Sequence, residues 1–231
     1  MKKIFKIIFS FFLVLILVLG IFYFFFPEKL YQVTIYLERH RAGLSPKHLT
    51  ADDFEWPYLE GGQGDTLLLL HGFGGDKDNW VRMAKFLTPY YHVIIPDLPG
   101  FGENKKDPAL SYAVKDQVKR LDHFAQAIKL NTFYLVGSSM GGHIAASYAA
   151  EHPDPILGLI LIAPGGLKSA PASIFEQYRQ KGDNFLLIKD EASFERMLSF
   201  LFYHRPFIPK PLLKYLTQRA IDDQSFQAKL S

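Results

Sequence analysis

The chain has 231 residues, of which 48% are hydrophobic and 21% are charged. This composition predicts one folded domain of ordinary size and excludes a disordered chain. The net charge of +3 comes from Lys2, Lys3 and Lys6, and the rest of the chain is neutral. A neutral body argues against a nucleic-acid partner, which needs a surplus of basic residues. There is no cysteine, so disulfides and thiolate sites are excluded, and no cofactor or metal ion is predicted.

A long uncharged segment follows the three N-terminal lysines. Residues 7–26 carry no charged side chain and are followed by Pro27. As a helix, the segment would span about 30 Å, which is the thickness of a bilayer's hydrocarbon core. The rival interpretation is a cleaved signal peptide, but the run is long and no small-residue cleavage site follows it. We predict a single-pass membrane anchor over residues 1–27, with the membrane as partner of residues 7–26.

The basic residues before and after the apolar run indicate on which side of the membrane the body of the protein lies. The lysines before the apolar run favour a cytoplasmic N-terminus, which would leave the body of the protein outside the cytoplasm. Basic residues also follow the run at Lys29, Arg39 and Arg41, so the contrast is small. A helical pattern over residues 28–44 leads us to assign residues 28–53 to a connecting helix and linker.

Residues 54–166 alternate short apolar runs with amphipathic stretches. Apolar runs that stop at turn residues are typical of parallel strands covered on both faces. The pattern predicts a doubly wound, mostly parallel α/β sheet that binds ligands at the carboxyl ends of its strands. The predicted strands are Thr66–Leu70, His92–Pro96, Phe133–Val136 and Leu159–Ala163, and the predicted helices are Asn79–Leu87, Ser111–Leu130 (with Ser111 as N-cap) and Met140–Glu151.

The strongest chemical motif is the sequence GSSMG at residues 137–141, between a predicted strand and a predicted helix. It fits the G-x-S-x-G nucleophile elbow, in which a sharp turn exposes the central serine. Ser139 is therefore the predicted nucleophile. Gly137 and Gly141 are expected to be glycines for steric reasons, because side chains there would collide. Ser138 does not fit this register, since residue 136 is valine.

A second motif, HGFGG at residues 71–75, follows the strand Thr66–Leu70. Acyl transfer places negative charge on the former carbonyl oxygen, and backbone N–H groups aimed at it lower the barrier. We expect one such donor from Met140 and another from Phe73. Gly72 and its neighbouring glycines would let the backbone approach the substrate.

A third motif, DLPGFG at residues 97–102, follows the next predicted strand, and we interpret Asp97 as a structural residue that holds its loop. Together, HGFGG, DLPGFG and GSSMGG resemble the α/β-hydrolase-fold esterases and lipases. With the N-terminal anchor, the chain is most similar to the membrane-anchored monoacylglycerol-lipase-like branch. The resemblance implies hydrolysis of carboxylic esters through an acyl-enzyme on Ser139, with monoacylglycerols or other lipid esters as substrates.

A serine triad also needs a base and an acid, which in this family follow the nucleophile on loops after further strands. Residues 167–231 instead predict a helical cap, with helices near Ile174–Lys181, Glu191–Phe202 and Pro211–Ala220. We therefore expect the fold to be incomplete at the C-terminus, the chain to lack both groups, and its stability to be poor. The residues considered as substitutes are His143, His152, His204, Asp222 and Asp223.

Two other functions stay open at this point. A His-x₄-Asp acyltransferase would use His71 as base with Asp76. A non-catalytic pseudoenzyme would bind a lipid or a partner at the membrane. Loss of activity in Ser139→Ala would distinguish the hydrolase from both.

Overall fold

The computed structural model describes residues 2–167 and 171–230 of the chain. The predicted anchor and cap each extend beyond these ranges, at residue 1 and at residues 168–170 and 231. By their internal contacts the described residues form two compact units, Met1–Tyr36 with Ile188–Asp223 and Leu37–Leu187 with Gln224–Ser231. The helices and strands, in chain order, are α1 (Lys2–Phe25), α2 (Pro27–Arg41), β1 (Leu44–Ala51), β2 (Phe54–Gly61), β3 (Thr66–Leu70), a 3₁₀-helix (Lys77–Trp80), α3 (Val81–Leu87), β4 (His92–Pro96), α4 (Val114–Ala127), β5 (Phe133–Ser138), α5 (Met140–Glu151), β6 (Ile156–Ile162), α6 (Ile174–Gln180), α7 (Glu191–Leu201) and α8 (Lys210–Leu230).

The second unit is built on a six-stranded sheet in the order β1-β2-β4-β3-β5-β6. The strands β4, β3, β5 and β6 are parallel, while β1 and β2 pair antiparallel to each other and β2 to β4. This confirms the predicted mostly parallel α/β sheet. Parallel strands end at the same edge, so the loops after β3, β4 and β5 meet there.

Two antiparallel strands at the start of the sheet were missed by the sequence analysis. The predicted linker up to residue 53 is wrong, because Leu44–Ala51 is a strand that pairs along its whole length with β2. Asp52 and Asp53 both have positive φ, as a two-residue hairpin turn requires. Most of β1 is exposed and it contains Pro46, so the strand lacked the buried apolar run that marked the others.

The other elements follow the predictions with shifts at their ends. The proposed N-cap Ser111 is wrong: α4 begins at Val114 with Ala113 at the N-cap position, and the Ser111 hydroxyl donates to Asp116 instead. The helix predicted from Asn79 is a 3₁₀ turn followed by α3. After β6 the described part of the chain holds only helices, and α8 runs ten residues beyond the predicted end at Ala220.

The core of this unit lies on both faces of the sheet. One cluster packs α4 and α5 against β3 and β5, and the other packs α3 against β3 and β4. Burial of these faces fixes the central strands and hence the loops at their carboxyl ends. The fully buried large side chains include Trp56, Tyr148, Phe124, Phe133, Leu68, Leu69, Leu70 and Ile95.

The first unit contains α1, the first part of α2, α7 and most of α8. The helix α1 has 24 residues, none of them buried, and is long and apolar enough to cross a membrane. A signal sequence would satisfy the same criteria. A small apolar core of Ile188, Phe194, Leu198 and Leu213 holds α7 and α8 together.

Candidate active site

Ser139 occupies the sharp turn between β5 and α5. Its φ of 54° and ψ of −117° are a backbone conformation that non-glycine residues rarely adopt. The turn exposes the side chain, while the strand before it and the helix after it are packed in the core. Ser139 N–H donates to the Ile162 carbonyl at 3.0 Å, which ties the elbow to the end of β6. This geometry presents a hydroxyl at the carboxyl edge of the sheet.

The glycines of the elbow stand where no side chain fits. A β-carbon at Gly137 would collide with the backbone of Gly141 and Gly142. One at Gly141 would collide with the carbonyl oxygens of Leu70 and His71 on the neighbouring strand. The close approach of β5, α5 and the end of β3 therefore depends on glycine at both positions.

The loop after β3 lies directly beside the serine. Leu70 pairs with Gly137 across the two strands, and a β-carbon at Gly72 would lie 3.2 Å from Cβ and 3.7 Å from Oγ of Ser139. A turn follows, in which Gly75 N–H donates to the Gly72 carbonyl at 3.1 Å and Gly74 has a φ of 70°. The structure thus brings the HGFGG loop and the elbow together.

The two predicted oxyanion donors lie on either side of this contact. Met140 is the first residue of α5, so its N–H has no acceptor within the helix. Phe73 follows Gly72, and its ring packs against Phe101 with 5.5 Å between ring centroids. The N-terminus of α5 adds a partial positive charge at the same place.

His71 is fully engaged in holding two loops together. Its Nε2 accepts the Leu98 N–H at 3.1 Å, so Nδ1 carries the hydrogen and donates to the Gly72 carbonyl at 2.8 Å. Burial lowers the pKa of His71 below its usual value, in opposition to the charge of Asp97. Both nitrogens of the buried imidazole are thus engaged in hydrogen bonds to backbone groups.

Asp76 also has a structural role. Its carboxylate caps the 3₁₀-helix by accepting the Asp78 N–H at 3.0 Å. Each of the two residues in the His-x₄-Asp acyltransferase hypothesis therefore has a structural partner, which argues against that hypothesis. The two residues have this spacing because His71 lies in the loop after β3 and Asp76 caps the 3₁₀-helix that follows the loop.

Asp97 is a buried anchor for the loop after β4. Its carboxylate accepts the Lys77 N–H and ammonium, both at 2.7 Å, and the Glu103 N–H at 2.9 Å. Burial lowers the pKa of Lys77, but the charges of Asp97 and Glu103 outweigh it and raise that pKa above its ordinary value. The structural role predicted for Asp97 is confirmed by these contacts.

The candidate bases and acids have other surroundings in the structure. Within the described residues of the second unit, no histidine or carboxylate is hydrogen-bonded to Ser139 Oγ. The ring of His143 lies against Gly166, and His152 is 3.8 Å from Asp122 at the far end of α5. His204 is exposed in the loop between α7 and α8. Asp222 accepts a hydrogen bond from Gln218 on α8, and Asp223 lies beside it on the same helix.

Residues 65–194 match the family described as alpha/beta hydrolase fold. The chain belongs to this family. "Lipase 1" of Psychrobacter immobilis is 38% identical over 203 residues, which are 86% of this chain and 64% of that protein. "Monoacylglycerol lipase abhd6-A" of Xenopus laevis is 33% identical over 216 residues, 88% of this chain and 64% of that protein. The chain thus spans less than two thirds of the length of these relatives.

A solved structure shares the fold closely. The crystal structure of a membrane phospholipase A, described as a bacterial virulence factor, has a TM-score of 0.86 and 42% identity. The match covers 100% of this chain and 74% of that one. The likeness therefore includes the N-terminal apolar helix as well as the α/β-hydrolase domain.

One residue near the α/β-hydrolase site was missed by the sequence analysis. The amide oxygen of Gln227, in the last turns of α8, lies 3.6 Å from where a β-carbon of Gly74 would stand. Phe226 beside it packs edge-on against Tyr112, with 5.3 Å between ring centroids. The sequence pattern of α8 carried no signal for these contacts, since they depend on where the helix ends in space.

Proposed function

We propose that the protein is a membrane-anchored serine hydrolase that cleaves carboxylic esters of lipids through an acyl-enzyme on Ser139. The observation that carries the proposal is the strained, exposed Ser139 with Gly72 packed against it. The relatives' names, a lipase, a monoacylglycerol lipase and a phospholipase A, support lipid esters such as monoacylglycerols as the substrate class. The α1 helix would hold the domain at the membrane, with the body outside the cytoplasm.

In the proposed reaction, Ser139 Oγ forms a bond to the ester carbonyl carbon, the bond from that carbon to the alcohol oxygen breaks, and the alcohol leaves with the proton that the Ser139 hydroxyl gave up. Water then releases the acid from the acyl-enzyme. The N–H groups of Met140 and Phe73 would donate to the oxyanion, and each such donor contributes about 2.7–4 kcal/mol. Gly72, Gly137 and Gly141 would keep the backbone close enough for this. That the base and acid of the triad follow further strands stays a prediction.

The test compares two adjacent serines in the full-length protein, reconstituted in lipid vesicles. Ser139→Ala should lower the hydrolysis of a monoacylglycerol by about 10⁶-fold, as loss of a nucleophile does in other serine hydrolases. Ser138→Ala is the matched control, because it removes the same hydroxyl one residue earlier, and it should retain activity. Equal activity of the two variants would contradict the proposal.

A pseudoenzyme is the second candidate, because no histidine among the described residues of the second unit is hydrogen-bonded to Ser139 Oγ. It would bind lipid at the same site without turning it over. A fluorophosphonate that labels the wild type and Ser138→Ala, but not Ser139→Ala, would eliminate it. Lipid binding that is unchanged in Ser139→Ala, with no hydrolysis by the wild type, would support it.

A further inference from the structure

The loop between α7 and α8, residues 202–209, exposes two aromatic side chains almost completely. Tyr203 is 97% exposed and Phe207 is 91% exposed, the highest values among the large apolar side chains of the described residues. Leu201 and Phe202, at the start of the loop, are about half exposed. Clustered exposure of this kind is typical of a surface that meets another apolar phase.

The loop is held by packing at its base. Ile208 lies against the cluster of Ile188, Phe194, Leu198 and Leu213, which joins α7 to α8. The fixed Ile208 and the neighbouring Pro206 and Pro209 restrict the backbone, so Phe207 points away from this cluster. The exposure of the aromatic rings is therefore a property of a packed element.

Basic residues outnumber acidic ones around the loop. From Arg196 to Arg219, both included, the sequence has five lysines and arginines and no aspartate or glutamate. Arg205 pairs with Glu195 at 2.9 Å. Lys210 and Lys214, at the start of α8, are exposed and have no ion pair within the described residues. Aromatic residues beside unpaired lysines are the pattern of a segment that binds an anionic membrane surface.

This surface is connected to the end of the anchor. Leu30 N–H donates to the Phe26 carbonyl, so helical hydrogen bonding continues from α1 into α2. Tyr31 then lies only about 7.5 Å of helix rise beyond Phe26. Its ring is 5.6 Å from that of Tyr215, and its hydroxyl accepts a hydrogen bond from Arg219 at 3.0 Å. The first half of α8 is thus fixed close to the point where the apolar helix ends.

We propose that the 202–209 loop docks into the surface of the same membrane that α1 enters. Tyr203 and Phe207 lie among the lipid headgroups and the first acyl carbons, where aromatic side chains are favoured. Lys210 and Lys214 contact anionic headgroups. The protein then has two membrane contacts, the anchor and this loop, and the second fixes the orientation of the unit that carries it. The inference does not depend on ester hydrolysis.

The test uses tryptophan as a depth probe in the full-length protein. The two native tryptophans, Trp56 and Trp80, are buried, so the wild type gives a low background. Tyr203→Trp and Phe207→Trp are prepared separately and reconstituted in vesicles of phosphatidylcholine and phosphatidylglycerol with brominated acyl chains. We expect quenching of each added tryptophan clearly above the wild-type background, with an emission maximum shifted to the blue. Quenching no greater than background would overturn the proposal.

The lysines are tested in the Phe207→Trp background. Lys210→Gln with Lys214→Gln should lower the ratio of docked to undocked loop by about fivefold per lysine in anionic vesicles. The same pair should have little effect in pure phosphatidylcholine. A different result is that the added tryptophan is not quenched and its emission maximum shifts to the blue only as the protein density in the vesicles rises. In that case a second copy of the chain covers the loop, and the proposal is wrong.

Discussion

The neighbouring strands β5 and β6 are both largely apolar in sequence but have different surroundings. Leu135 in β5 is fully buried, whereas Leu159, its register partner in β6, is 38% exposed. Val136 is buried, while Ile160 opposite it is 51% exposed. β5 has a hydrogen-bonded neighbour on each side, and in the described part of the chain β6 has β5 alone.

The difference shows what an apolar run can and cannot predict. Both runs are apolar enough for a strand covered on two faces, and both are strands. Coverage depends on other elements, and α5 supplies it for β5 through Ile144, Ala145 and Tyr148. Ser139 follows the covered strand.

The largest effect is expected at the buried ion pair of Asp97 and Lys77. Asp97→Asn removes the charge that faces the Lys77 ammonium, and both side chains are buried. Breaking a buried pair by removing one partner costs about 3–5 kcal/mol, and the half-exposed Glu103 that stays near Lys77 compensates only a small part of it. We expect the free energy of unfolding to fall by that amount, measured by urea titration of the detergent-solubilised protein with Trp56 and Trp80 fluorescence.

The control for this change is Glu103→Gln. It removes an equivalent charge from the same lysine, but Glu103 is 56% exposed. Solvent screens such a pair, so the expected loss is at most about 1 kcal/mol. Equal losses in Asp97→Asn and Glu103→Gln would mean that burial does not set the strength of the Lys77 contacts.

The comparison of β5 with β6 is tested directly by the same substitution in each strand. Leu135→Ala should cost about 2–5 kcal/mol, because it leaves a cavity in the core between β5 and α5. Leu159→Ala should cost about 1 kcal/mol or less, since its side chain is already partly in water. Similar losses in the same urea titration would indicate that β6 is covered in the protein in solution.

The sequence predicted the parts of the molecule that depend on local patterns. The four parallel strands, the elbow at Ser139 and the loop at Gly72 were assigned because apolar runs and glycine motifs are read within a few residues. The strands β1 and β2 were missed because their pairing is antiparallel and one of them is exposed. Lys77, the buried partner of Asp97, was also missed, since nothing in the sequence around this lysine indicates that it is buried.

A smaller effect is expected from crowding the elbow. Gly141→Ala places a β-carbon against the carbonyl oxygens of Leu70 and His71. Overpacking of this kind costs about 1–3 kcal/mol. Gly165→Ala is the matched control, because a β-carbon there would meet Ser139 atoms only at 3.7 Å or more, and it should leave stability nearly unchanged. If Gly141→Ala does not lower the free energy of unfolding, the contact between β3 and α5 can open.

The smallest effect is expected from pH, through His71. Its pKa is lowered by burial in the native state, so the unfolded chain binds the proton first as the solution is acidified. The stability that this histidine contributes is complete above its unfolded pKa of about 6.5 and is lost as pH falls below it. Between pH 7.5 and 5.5 the free energy of unfolding can fall by about 1.4 kcal/mol. This is the effect of one proton that only the unfolded chain binds, over the one pH unit below its pKa of about 6.5.

The control is His71→Gln, which keeps a polar side chain at this position but cannot take up a proton in this range. Its free energy of unfolding should be lower than that of the wild type at pH 7.5, because the bridge between Gly72 and Leu98 is altered. Its dependence on pH should be weaker, since His71 no longer titrates. The two proteins differ only at residue 71, so the difference between their slopes isolates His71. Parallel slopes would mean that the imidazole is protonated as readily in the folded protein as in the unfolded chain.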